Sequence, residues 1–132
     1  MTTELWLLVA AVLLGFVQIV LQAQSMNMQR GYRWNAGPRD EVLPPLTGVA
    51  GRLNRALRNF LETFPFFAAA VLIANSANIH NSLTLWGAWL YLLGRIVYLP
   101  LYAFGVRYVR SLVWNVAVLG IFLILSGIAR GA

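Results

Sequence analysis

Apolar runs of bilayer length alternate with short polar breaks along this chain. Residues 5–24 read L-W-L-L-V-A-A-V-L-L-G-F-V-Q-I-V-L-Q-A-Q. At about 1.5 Å per residue, some 20 residues match a hydrocarbon core of ~30 Å. Glu4 precedes this run, and neither a basic n-region nor a small-residue cleavage site accompanies it, so a retained helix is expected rather than a signal peptide. Residues 63–94 carry no charge, which is more than one span needs, and N-S-A-N-I-H-N-S at 75–82 breaks them with turn-forming residues. Glycine and proline punctuate residues 30–51, with Thr47 as the candidate N-cap of the next helix. The pattern predicts an all-α, integral membrane four-helix bundle in one domain, with helices at about 4–29, 47–75, 83–106 and 111–130.

Two of these helices carry polar stripes. Arg55, Arg58/Asn59 and Glu62 recur at i, i+3/i+4, i+7, and so do Arg95, Tyr98 and Tyr102 at i, i+3, i+7. Ionisable residues inside a span need a partner and mark a lined cavity or a ligand. Glu62 reads as the one acidic residue within a span, which predicts that it pairs with Arg95. His80 falls in the polar turn and reads as a solvated histidine.

Only 11% of the residues are charged and 60% are hydrophobic, far from the balance of a soluble domain. There is no cysteine, and one histidine cannot build a metal site, so no metal is expected. All ten basic residues are arginine, giving a net charge of +6. Their spacing among apolar spans favours membrane-surface charge over nucleic-acid binding. Arg30, Arg33, Arg39, Arg52, Arg107 and Arg110 fall in or beside the first and third loops, against Arg130 alone on the other side. The positive-inside rule then places both termini outside and a cationic, tyrosine-lined site facing the cytoplasm. Such a site suits an anionic ligand bearing carboxylates, and it lacks an ordinary general base or nucleophile of its own.

These residues resemble a known family, the membrane-associated proteins in eicosanoid and glutathione metabolism (MAPEG), which include microsomal glutathione transferases, leukotriene C4 synthase and microsomal prostaglandin E synthase. The likeness covers essentially the whole chain. Arg55, Asn59, Glu62, Phe64 and Pro65 match the family's helix-two signature, and Arg58 matches the extra arginine of the prostaglandin branch. Arg95, Tyr98 and Tyr102 match its helix-three triplet. Arg110-Ser111 match the catalytic arginine and following serine that start helix four, although Trp114 stands where some members have tyrosine. The spacing from Tyr102 differs by about a residue from the relatives, so Arg107 competes with Arg110. The helix-one arginine of some members has no match within that helix, Arg30 or Arg33 being the nearest. Asp40 lies in an unalignable loop, and prostaglandin isomerisation is not carried over.

The resemblance implies a homotrimer binding glutathione, as co-substrate, between adjacent subunits. Glu62 would take its amino group, and Arg55, Arg58, Asn59, Arg95, Tyr98, Tyr102 and Arg30 would hold the rest. Arg110 would stabilise the thiolate, with Ser111 either supporting it or serving as a helix N-cap. The activity implied is that of a membrane-bound transferase or peroxidase acting on a lipophilic electrophile or hydroperoxide, in a bacterial inner membrane. Two other readings stay open: a non-catalytic binding or scaffold protein of the same fold with a different anionic ligand, and a small four-helix drug exporter. Exporters of that kind carry their glutamate in helix one, where this chain has no charge after Glu4.

Overall fold

The computed structural model describes residues 1–106 and 108–132, and among these the regular structure is entirely helical. Four helices are long and apolar enough to cross a membrane: α1 (Thr3–Arg30), α3 (Gly48–Ser76), α4 (Ser82–Ala103) and α5 (Val109–Gly131). A one-turn helix, α2 (Tyr32–Ala36), interrupts the first loop.

Local chemistry sets the helix ends. Thr2 caps α1, its hydroxyl accepting from the Leu5 N–H at 3.3 Å, and Glu4 in the first turn complements the helix dipole. Thr47 occupies the N-cap of α3, but its side chain makes no capping bond; its own N–H is taken by Gln29 Oε1 at 3.0 Å. Asn81 and Thr84 form a reciprocal capping box at the start of α4, with bonds of 3.1 and 3.0 Å. At the other end α4 stops at Ala103, three residues before the expected 106. Gly105 there turns left-handed (φ +71°), donating to Tyr102 O while Val106 donates to Leu101 O. This is a Schellman stop, in which the orphan carbonyls of the last turn find donors. Asn78 (φ 56°) ends α3 in the same way.

Helix α4 is the hub, packing against α1, α3 and α5. Its seam with α5 is made of small residues. A Cβ on Gly87 would lie 2.5 Å from the Gly120 carbonyl oxygen, and the converse holds for Gly120. Gly94 meets Ala117, and Gly127 meets Asn81 and Thr84. In lipid, where hydrophobic association between helices is weak, close backbone contact of this kind drives packing. The core beside the seam joins Phe67, Ala70 and Val71 of α3 to Ala88, Tyr91 and Leu92 of α4, with Ile121 and Ile124 of α5. Phe67 stacks on Tyr91 at 4.1 Å, and the Tyr91 hydroxyl shares a 3.0 Å hydrogen bond with Thr63.

The two ends differ chemically. One gathers Glu4, the turn with His80, and Asn81, which donates to Gly127 O at 2.9 Å. The other gathers the arginines, with Arg52 clasping the end of α4 through a 2.7 Å bond to Ala103 O.

Candidate functional site

The polar stripes of α3 and α4 come together at the arginine-rich end. Arg95 is the most deeply buried charged group (1% exposed), and it donates to Asn59 Oδ1 at 2.8 Å. The expected pairing with Glu62 is therefore wrong. Glu62 is exposed, and among the described residues no ion pair joins it to an arginine. Three residues rotate the helix by about 60°: Asn59 reaches α4, while Glu62 lies at the edge of the same stripe, lining the cavity with Arg55 and Arg58 and the groove toward α5. Glu62 is also not the one acidic residue in a span, since Glu4 lies within α1, is 7% exposed, and accepts from the Thr84 hydroxyl at 2.9 Å.

Aromatic rings relay the charge along α4. The Arg95 guanidinium lies 4.4 Å from the Tyr98 ring centre, Tyr98 is 5.5 Å from Tyr102, and the Arg110 guanidinium is 4.6 Å from Tyr102. Aromatic faces hold these cations through the ring quadrupole, and among the described residues neither guanidinium forms an ion pair. Arg95 keeps Nε and Nη2 buried without hydrogen-bond partners.

Three polar cavities run across this end and share walls. The first, about 400 Å³, is lined by Asn59, Tyr98, Tyr102, Arg110, Ser111 and Trp114, with Asn115 at its rim. Arg95 lies behind it, acting through Asn59 and Tyr98. The second, about 260 Å³, is bounded by Arg55, Arg58, Asn59 and Glu62. The third, about 590 Å³, takes Arg55 and Arg58 as one wall and Arg30 at the end of α1 with Arg39 of the first loop as another. Arg33 lines a separate loop cavity with Asp40 and Glu41, away from the stripe. Arg107, the rival to Arg110, lies outside the described residues.

Ser111 is inside the first turn of α5, because Tyr108 occupies the N-cap position. The capping role for Ser111 is thus excluded; its carbonyl accepts from the Asn115 side chain at 2.9 Å. Residues that the stripes did not flag also join the site. Arg39 was visible only as loop charge. Asn115 sits one turn after Ser111. The buried Trp114 Nε1–H has no partner, which leaves a donor beside Arg110. Trp114 and Glu62 also wall an apolar groove of about 580 Å³ between α3 and α5, so polar cavities and groove adjoin.

Spanning helices wrapped around an arginine-rich cleft define a small integral membrane protein. A family model described as MAPEG family matches residues 7–130, nearly the whole chain, and the chain belongs to that family. Comparisons with curated proteins and with solved structures give no match.

Proposed function

We propose that this protein is a membrane-bound glutathione-dependent transferase or peroxidase, active as a homotrimer. The observation that carries the reading is the meeting of a carboxylate-free guanidinium cavity at Arg110 with an apolar groove, both walled by Trp114. One compartment suits a polar anion, the other a lipophilic second substrate, and a reaction between them needs that adjacency.

The groups present fit glutathione. Its carboxylates call for guanidinium forks, which Arg55, Arg58 and Arg30 offer. Its ammonium calls for an acid, and Glu62 is exposed and unpaired among the described residues. Arg95 holds Asn59 by a hydrogen bond and Tyr98 by stacking, so both would meet the ligand already oriented. The exposure of Arg55, Arg58 and Glu62 supports completion of the site by a neighbouring copy.

Glutathione would supply the thiol. Arg110, stacked on Tyr102, would lower its pKa from roughly 8.5–9 by stabilising the thiolate, the proton passing to solvent. A shift of about two units needs roughly 2.7 kcal/mol. Ser111 and the Trp114 N–H are further donors. The arginine-rich end would face the cytoplasm of a bacterial inner membrane under the positive-inside rule.

Ultraviolet difference absorbance of the detergent-purified protein, titrated with glutathione, tests this reading. A saturable thiolate band that disappears in Arg110→Ala is expected. Binding without thiolate would instead make the protein a glutathione-binding module, and no binding would remove glutathione as the ligand.

A further inference from the structure

The third cavity differs in chemistry from the other two. Arg30, Arg39, Arg55 and Arg58 line it, and no carboxylate does. Asp40 and Glu41 line the neighbouring loop cavity with Arg33 and Trp34, and Arg39 stands between the two, contributing to both linings. Arg30, at the end of α1, and Arg39, in the loop, are built into place. Arg30 donates through Nη2 to Pro44 O at 3.0 Å, and Arg39 donates through Nε to Asn35 O at 3.2 Å. Both guanidiniums stack on Trp34, at 4.7 and 5.4 Å from the ring centre. Gln29 adds a strap to the same segment, bonding Pro45 O and the Thr47 N–H. The loop is thus pinned so that two arginines face the two of α3, and Arg30 Nε remains buried without a partner. Among the described residues Arg55 and Arg58 make no side-chain hydrogen bond or ion pair.

The cavity also lies at a defined depth. Helix α1 has 28 residues, or ~42 Å, against a hydrocarbon core of ~30 Å. Its last turns, which carry Met26 and Arg30 into the cavity wall, therefore stand in the headgroup layer. Met26 and Leu46 add apolar surface beside the arginines. Four guanidiniums, no acid and an apolar edge at headgroup depth match a phosphodiester with its glycerol attached.

We propose that this cavity binds the headgroup phosphate of an anionic phospholipid. Basic pockets between membrane helices recognise such headgroups by the same forks that bind phosphate elsewhere. Arg39 and the Trp34 clamp belong to this site and have no part in the thiol reading. The cavity shares Arg55 and Arg58 with its neighbour, and these two with Arg30 are also the groups proposed for the glutathione carboxylates, so a bound lipid would compete for them.

The test is lipid binding to the delipidated, detergent-purified full chain, titrated with phosphatidylglycerol, phosphatidylcholine or inorganic phosphate and read by native mass spectrometry. Phosphatidylglycerol should bind in preference to phosphatidylcholine. Arg39→Gln should weaken phosphatidylglycerol binding roughly fivefold. Arg33→Gln, on the same loop but facing the other cavity, should leave it unchanged. Equal binding of the two lipids overturns the proposal, and so does equal loss in both variants, which is the behaviour of diffuse surface charge. Inorganic phosphate binding as tightly as the lipid would make this a free-anion site and sink the lipid assignment. Each variant is compared with its own phosphatidylcholine binding and its helical circular dichroism, so a misfolded variant is recognised as such.

Discussion

Arg95 of α4 reaches Asn59 of α3 at 2.8 Å and meets a carboxamide, not a carboxylate. The pair orients both side chains but leaves the full positive charge of a buried guanidinium in place. Such a group is destabilising unless something compensates it. Here the compensation is partial: one hydrogen bond and the faces of Tyr98 and Phe60.

Asn59→Leu removes the one acceptor and should lower stability by about 1.5–3 kcal/mol, the range for hydrogen bonds to charged groups. Arg95→Met removes the charge while keeping most of the volume, and its stability should stay within about 1 kcal/mol of the parent. Thermal unfolding in detergent reads both. Equal destabilisation by the two changes would make Arg95 a structural group rather than a source of field at the cleft.

Gly120→Val tests the seam between α4 and α5. Its Cβ would lie 2.5 Å from the Gly87 carbonyl oxygen and 2.8 Å from the Tyr91 nitrogen, backbone atoms that cannot step aside. A loss of roughly 1–3 kcal/mol is expected for overpacking. Gly15→Ala, which meets the edge of the Phe60 ring at 3.1 Å, should be milder because a ring can tilt. Equal melting temperatures for Gly120→Val and the parent would mean that the helices are not in this register.

Thr63→Val should cost about 1–3 kcal/mol by stranding the buried Tyr91 hydroxyl. Tyr91→Phe in the same chain should recover part of that loss. A double-mutant cycle with strictly additive effects would show that the two hydroxyls do not bond.

Glu4→Ala should lower stability by no more than about 1 kcal/mol, because the Thr84 hydroxyl loses one acceptor and keeps the other, Asn81 O. His80→Ala should change it by less than about 0.5 kcal/mol, since the 4.0 Å contact with Glu4 involves a partly exposed ring. Chemical denaturation of the two variants side by side separates the hydrogen bond from the ion pair.

Much of the fold was legible in the residue pattern. The spans are visible because a bilayer demands long apolar helices, and the ends of α3 and α4 differ from expectation by a few residues or fewer. The faces of the stripes are visible because helical periodicity is a local property. Glu4 reads in the sequence as preceding the first span, which leaves Glu62 as the one acidic residue within a span. Only the packing of α1 on α4 buries Glu4 against Thr84.

Residue order by itself determined that this chain makes membrane helices, where they break, and which arginines, tyrosines and carboxamides share a helix face. The tertiary structure decided which faces meet. Arg95 takes Asn59 and leaves Glu62 free because the glycine seam with α5 and the core beside it set the rotation of α4 against α3. Asn59 and Glu62 share one stripe of α3, about 60° apart, and sequence spacing cannot choose which of them meets α4. The absence of an ion pair at Arg95 follows from that rotation, as does the cleft's position beside an apolar groove.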